Sequence, residues 1–144
     1  MTSTEPLRLT AAVRDALLDH AAVGADRAPP EEVCGVLAGA RGSTDRVTDA
    51  TRVDNVAAHP RTEYELDPEA TMSTIDRIEA TGDDVVGFYH SHPESPAEPS
   101  ATDRARATWT GYLYAIVSPP ETIRAYRFTG EGFDEVPVQV DSRE

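Results

Sequence analysis

Residues 85–93 read Val-Val-Gly-Phe-Tyr-His-Ser-His-Pro, an apolar run that becomes polar just before a proline. The run is short for a helix, so we predict a buried strand over Val85–His90. Residues i and i+2 of an extended segment point to the same side. His90 and His92 are therefore expected to present two imidazoles together at the end of this strand.

A second apolar run, Val33–Gly39, lies between prolines and glycine and predicts another buried strand. The other segments with strand character are Val47–Val56, Tyr64–Leu66, Tyr112–Ser118, Thr122–Phe128 and Phe133–Val140. We expect turns or irregular backbone at the glycine- and proline-rich positions between them, notably Pro93–Pro99.

Three helices separate these strands, and each begins at a residue suited to capping. The predicted helices run from Thr10 to Gly24, where Pro29-Pro30 follows, from Asp67 to about Ala80, and from Ser100 onward. The order α, β, β, β, α, β, α, β, β, β predicts a mixed α/β fold, with a β-sheet sandwiched between helices. At 144 residues we expect one domain, 1–144, with its core over about 8–140 and frayed ends at residues 1–7 and 141–144.

The composition excludes several function classes. The chain has 26 acidic and 13 basic residues, a net charge of −13, so it lacks the basic surface of a nucleic-acid reader. It has no apolar run long enough to span a membrane and no secretion signal at its first residues. A single cysteine, Cys34, fits a reducing cytoplasm.

All 13 basic residues are arginine. A strongly acidic, lysine-free chain of ordinary apolar content is typical of a protein adapted to high salt, in which the repulsion between its acidic groups is screened. An acidic mesophilic protein with biased codon usage is the alternative.

Asp103 follows the histidine pair by one short irregular segment and lies in the first turn of the Ser100 helix. Two histidines and one aspartate suit a catalytic Zn²⁺ site, because three protein ligands leave a fourth position for water. A carboxylate near that water would act as general base, and the candidates are Glu31 and Glu32. Ser100 could stabilise an oxyanion as a hydrogen-bond donor.

Each of these residues also has a structural interpretation. Ser100 and Asp103 fit a helix cap, the glutamates fit a solvated turn, and paired histidines on a strand are not usually ligands. The remaining candidates are interpreted as structural or solvated residues: Cys34, His20, His59 and Trp109.

Taken together, the motifs resemble the JAMM/MPN+ (Mov34/JAB) zinc metalloprotease family. The resemblance rests on Glu32-Val-Cys-Gly, on His90-Ser-His-Pro, and on Ser100-Ala-Thr-Asp103, with ten residues between His92 and Asp103. Asn55 and Tyr64 also resemble prokaryotic members, and the resemblance covers about residues 10–128. It implies the JAB/MPN (cytidine-deaminase-like) architecture, one Zn²⁺ held by His90, His92 and Asp103, Glu32 as the base that activates the zinc water, and Ser100 as oxyanion stabiliser.

The acidic, lysine-free composition indicates a salt-loving archaeon, and the chain resembles archaeal members of the desampylase type. Such members hydrolyse the bond between the C-terminal glycine of a ubiquitin-like β-grasp modifier and a target lysine. The resemblance implies the same isopeptidase activity here, on lysine conjugates and linear fusions. We expect the modifier tail to bind extended beside the active-site strand, between loop 57–65 and segment 94–98.

Two alternatives stay open at this stage. The chain could process sulfur-carrier fusions or precursors, or it could be a non-catalytic module that binds ubiquitin-like modifiers. Zinc deaminases are excluded because they need a Pro-Cys-x-x-Cys motif and this chain has one cysteine. The sequence also lacks the His-Glu-x-x-His motif of another class of zinc proteases.

Overall fold

The computed structural model of the protein describes residues 5–142. Its elements are β1 Leu7–Leu9, α1 Ala11–Ala25, β2 Cys34–Ala40, β3 Arg46–Val53, α2 Pro68–Ala80, β4 Asp84–Ser91, α3 Ala101–Arg106, β5 Leu113–Ser118, β6 Thr122–Phe128, β7 Phe133–Val136 and β8 Val138–Val140. Of the helices in residues 5–142, none combines the length and the apolar character needed to cross a bilayer.

The three predicted helix starts are confirmed by their caps. The Thr10 hydroxyl accepts a hydrogen bond from the Val13 N–H, and the Asp67 carboxylate accepts one from Glu69, with Pro68 as the first helical residue. These side chains satisfy backbone donors that have no partner inside the helix.

Eight strands form one mixed sheet in the order β7-β6-β5-β4-β2-β3-β1-β8. Neighbouring residues of β2 bury opposite faces: Leu37 packs in the core cluster that contains α1, and Val36 packs in the cluster that contains α2. Helices therefore cover both faces of the sheet, which confirms the predicted sandwich.

The predicted fraying of the ends is wrong at Leu7 and at Asp141. Leu7 is buried in β1, which pairs with β3 and β8. The Asp141 N–H donates to the Leu9 carbonyl, and the Asp141 carboxylate pairs with Arg8 and Arg46. Residues 1–4 and 143–144 lie outside the described residues. A three-residue strand between a proline and a helix cap carries too short a pattern to be recognised.

The predicted strand Phe133–Val140 is two strands. Pro137 has no N–H for a ladder and separates β7 from β8, which lie at opposite edges of the sheet order. Because one residue joins them, the sheet curves until its two edges are close together. The Pro137 carbonyl accepts a hydrogen bond from the Leu7 N–H at this junction.

Three further predictions need correction. Strand β3 ends at Val53 rather than at residue 56, and the predicted strand Tyr64–Leu66 is reduced to one bridge between Asn55 and Leu66. Gly24 does not stop the first helix but lies within its last turn. A glycine is needed at this position because a Cβ there would collide with the Glu31 carbonyl.

Candidate metal centre

Strand pairing brings the candidate base beside the histidines. Strands β2 and β4 are antiparallel with Cys34 opposite His90, and the same register extended by two residues places Glu32 opposite His92. The connection is reinforced by Ser91, whose hydroxyl accepts a hydrogen bond from the Val33 N–H at 2.9 Å and whose N–H donates to the Val33 carbonyl. The serine between the two histidines thus anchors the Glu32 segment.

Helix α3 brings the second carboxylate to the same place. Ser100 and Asp103 form a capping box: the Asp103 N–H donates to the Ser100 hydroxyl at 3.0 Å, and the Ser100 N–H donates to Asp103 Oδ2 at 2.9 Å. The helix cap predicted from the sequence is therefore present, and it also orients the Asp103 carboxylate toward the histidines.

The four side chains converge on a single buried point. The two histidine Nε2 atoms are 3.2 Å apart, and each lies 3.0–3.1 Å from Asp103 Oδ2. One ligand atom from each of Glu32, His90, His92 and Asp103 can be chosen so that all lie within 4.8 Å of one another. All four residues are at most 7% exposed, and Glu32 Oε1 has no hydrogen-bond partner among the described residues.

Neighbouring groups hold the two imidazoles in place. His92 Nδ1 lies 2.7 Å from the Pro96 carbonyl, which accepts its hydrogen and leaves the Nε2 lone pair facing the cluster. The Tyr64 ring stacks on the His90 ring, with the centroids 4.1 Å apart and the planes at 18°. The sequence predicts no role for Pro96 or Tyr64 at the site, because only the folded loops bring them against the histidines.

Burial dominates the electrostatics of the cluster. It raises the pKa of Glu32 to about 8, an effect that His92 opposes and Asp103 and Glu63 increase. Burial alone would raise the pKa of Asp103 as well, but the hydrogen bonds with both histidines hold it well below its usual range.

The two histidines shift in opposite directions. Burial lowers the pKa of His90 in spite of its hydrogen bond with Asp103. The pKa of His92 is raised, because its hydrogen bonds with Asp103 and the Pro96 carbonyl outweigh the effect of burial. The cluster is thus an acid–base assembly of two carboxylates and two imidazoles, a donor set that suits a divalent transition-metal ion.

The structure separates the two candidate glutamates. Glu32 is buried in the cluster, whereas Glu31 turns away and pairs with Arg27 at 2.8 Å. The thiol of Cys34 is also buried and lies 3.4 Å from the Val53 carbonyl, and burial raises its pKa to about 12, so it behaves as the small apolar residue predicted from the sequence.

The predicted course of a bound tail needs correction. Strand β4 is paired on one side with β2 and on the other with β5, so a further strand cannot add beside it. The two segments predicted to flank the tail do lie close together: Arg61 of loop 57–65 forms an ion pair with Glu94 of segment 94–98 at 3.0 Å.

A curved mixed sheet between helices, with two histidines and two carboxylates at the end of a central strand, defines a metallohydrolase type of centre. The chain belongs to the family described as prokaryotic homologs of the JAB domain, which matches residues 10–129. The predicted family and fold are confirmed.

Two relatives and two solved structures are similar to the chain. It is 55% identical over 141 residues to a desampylase of Haloferax volcanii, covering 98% of this chain and 100% of that one. It is 34% identical over 132 residues to a CysO-cysteine peptidase of Mycobacterium tuberculosis, covering 89% of each.

The structure superposes on a Desulfitobacterium hafniense protein with a TM-score of 0.83 at 27% identity, covering 95% and 94% of the two chains. A JAB1/MPN domain protein of Archaeoglobus fulgidus shares the fold, with a TM-score of 0.62 at 19% identity over 94% and 98%.

Proposed function

We propose that this chain is a JAMM-type zinc isopeptidase. Its substrate is the bond between the C-terminal glycine of a ubiquitin-like β-grasp modifier and a target lysine. The observation that carries the proposal is the buried convergence of Glu32, His90, His92 and Asp103 within 4.8 Å. The desampylase of Haloferax volcanii, similar over its full length, supports the same activity.

The donor set fits zinc. With Zn–N and Zn–O distances of about 2.0–2.1 Å, a tetrahedral site has ligand atoms about 3.3 Å apart. The three separations among the Nε2 atoms and Asp103 Oδ2 are 3.0–3.2 Å. We therefore assign His90, His92 and Asp103 as the ligands, with the Pro96 carbonyl and the Ser100 N–H as the groups that orient them.

The residues of this chain then divide the work. When bound, Zn²⁺ acts as a Lewis acid on the scissile carbonyl and makes the attacking water more acidic. Glu32 takes the proton of that water at its carboxylate and returns it to the departing lysine amine. Ser100 offers its hydroxyl hydrogen to the oxygen that becomes negative in the tetrahedral state.

The modifier tail is proposed to enter between loop 57–65 and segment 94–98, where Arg61 and Glu94 form the contact between the walls. A flexible diglycine end suits a narrow passage, because it has no side chains to accommodate. Three properties stay predictions that the length and composition of the sequence support: a single domain, a cytoplasmic location and adaptation to high salt.

Processing of sulfur-carrier fusions or precursors is the second candidate, favoured by the similarity to a CysO-cysteine peptidase. The test offers a lysine-branched conjugate and a linear fusion of one diglycine-ending β-grasp modifier to the protein at high salt. We expect both to be cut, chelation to stop the reaction, and added Zn²⁺ to restore it. Cleavage of the linear fusion alone would favour the second candidate, and binding without turnover would favour a non-catalytic module.

A further inference from the structure

The orientation of the Glu32 side chain depends on the position of its backbone. Glu32 lies before β2, outside the regular ladder of the sheet. Its Oε1 atom is buried and makes no hydrogen bond within residues 5–142. Since no hydrogen bond to that oxygen orients the carboxylate, its direction depends on where the Glu32 main chain is held.

That main chain is held on both sides by one loop, residues 55–66. The Glu32 N–H donates to the Pro60 carbonyl at 2.7 Å, and the Glu32 carbonyl accepts a hydrogen bond from Asn55 Nδ2 at 2.9 Å. The first of these bonds comes from the middle of the loop, and the second comes from a side chain at its start.

Asn55 also closes the loop on itself. Its Nδ2 donates a second hydrogen bond to the Glu63 carbonyl at 3.1 Å, and its Oδ1 accepts from the N–H groups of Ala57 and Glu65 at 3.0 and 2.9 Å. The side chain therefore uses both donors and both acceptor positions of a carboxamide. It is the only asparagine in the sequence.

The same loop reaches the metal side of the site. Tyr64, between two residues that bond to Asn55, stacks on the His90 ring, and Glu63 pairs with Arg106 of α3 at 3.6 Å. Asn55 thus lies at the junction between the segment that carries the proposed base and the loop that covers a proposed ligand.

We propose that Asn55 is a positioning residue, which holds the Glu32 main chain against loop 55–66 and so aims the Glu32 carboxylate. This inference rests on the proposed isopeptidase function. Asn55 acts through the geometry of Glu32, because a small misplacement of a catalytic group lowers the rate while substrate contacts stay largely intact.

Asn55→Asp is the decisive variant. Aspartate keeps the two acceptor bonds from Ala57 and Glu65, so the loop stays closed at that point. It loses the donors toward the Glu32 and Glu63 carbonyls, so the link to the base is broken. We expect kcat to fall about 10- to 100-fold, with KM within about threefold and Zn²⁺ still at one per chain.

Amide hydrogen exchange supplies a readout that needs no substrate. In the metal-free protein, Asn55→Asp should speed exchange in the 31–34 segment, because the Glu32 backbone loses one of its two ties. Gln139→Glu is the matched control: it makes the same amide-to-acid change at an exposed position on the edge strand β8. It should leave kcat and exchange in this segment unchanged.

Asn55→Ala separates the hydrogen bond from the charge that aspartate introduces, and its melting temperature reports whether it folds. A fall in kcat for both variants supports the proposal. An unchanged kcat in Asn55→Asp, or a fall in that variant while folded Asn55→Ala keeps full activity, would overturn it. If the wild-type protein cut no conjugate, the proposed function would fail. Unaltered hydrogen exchange at residues 31–34 in Asn55→Asp would reject the role of Asn55, whatever the activity of the wild type.

Discussion

Two buried histidine environments lie against strand β4, on opposite faces of the sheet. On the α1 face, His20 Nδ1 lies 2.7 Å from the Tyr89 hydroxyl. On the other side, His90 and His92 meet the carboxylate of Asp103. The neighbours Tyr89 and His90 point in opposite directions because they are consecutive in a strand.

The partners explain why one environment is structural and the other is a site. Burial lowers the pKa of His20 to about 4, assisted by Arg52 and Arg27, so this imidazole stays neutral and shares a hydrogen bond with the Tyr89 hydroxyl. At the second place two carboxyl groups enter with the imidazoles, and their oxygen atoms complete a donor set that suits a metal cation. Burial of histidine is common to both environments, whereas only the converging carboxylates indicate metal chemistry.

His90→Ala tests the metal side of this contrast and has the largest expected effect. Removal of one of three proposed ligands should abolish both stoichiometric Zn²⁺ and cleavage, a loss of at least about 10³-fold. Atomic spectroscopy and a conjugate-cleavage assay measure the two quantities. Exposed His59→Ala is the control for zinc content alone, and full zinc content in His90→Ala would reject this residue as a ligand.

Glu32→Ala separates proton transfer from metal binding. We expect cleavage to fall by about 10² to 10⁴ because the general base is lost, while Zn²⁺ stays bound by the other three residues. Glu31→Ala, which removes the neighbouring carboxylate that pairs with Arg27, should cleave normally. Near-normal turnover in Glu32→Ala would defeat its assignment as base.

His20→Gln probes the structural side through acid stability. With a pKa of about 4 when folded and about 6.5 when unfolded, His20 binds its proton first in the unfolded chain. It therefore removes stability as the pH falls from about 6.5 to 4, by up to about 3 kcal/mol, and removes no more below that range.

Urea unfolding of metal-free protein across this range should show a shallower pH dependence in His20→Gln. The titration of the metal centre is common to both proteins and cancels in their difference. Parallel curves for the wild type and the variant would contradict the assigned shift.

We expect salt to act on the charged surface of the protein. Its effect on the two buried histidine environments should be the smallest of the four predicted effects. The net charge of −13 repels itself at low ionic strength, and screening is strong above about 1 M salt. We expect the free energy of unfolding to rise with NaCl or KCl, while the difference between wild type and His20→Gln at one pH stays constant. Equal stability at low and multimolar salt would remove the halophilic interpretation.

Local signals in the sequence predicted much of the fold. Caps such as Thr10 and Asp67 and short apolar runs depend on near neighbours, so they can be recognised without a fold. The edge strands were harder, because Leu7–Leu9 becomes a strand only by pairing with residues far away along the chain.

The candidate site divides in the same way. The spacing of His90, His92 and Asp103 was visible as a motif, and the family resemblance selected Glu32 over Glu31. Asn55 and Tyr64 match prokaryotic members of the family, but the sequence predicts no role for them, because each acts through a contact with a segment distant in sequence. The contact of Pro96 with His92 is local, yet it depends on the irregular backbone between these residues and was not predicted either.

The chain by itself determined the residue types, the element boundaries within a few residues, and the spacing of the donor groups, since these depend on local backbone preference. Only the tertiary structure decided that two carboxyl groups and two imidazoles share one buried point, and that the Asn55 side chain and the Pro60 carbonyl join the Glu32 segment to its covering loop. Such convergence is produced by strand register and loop packing, which bring together groups that the sequence keeps dozens of residues apart.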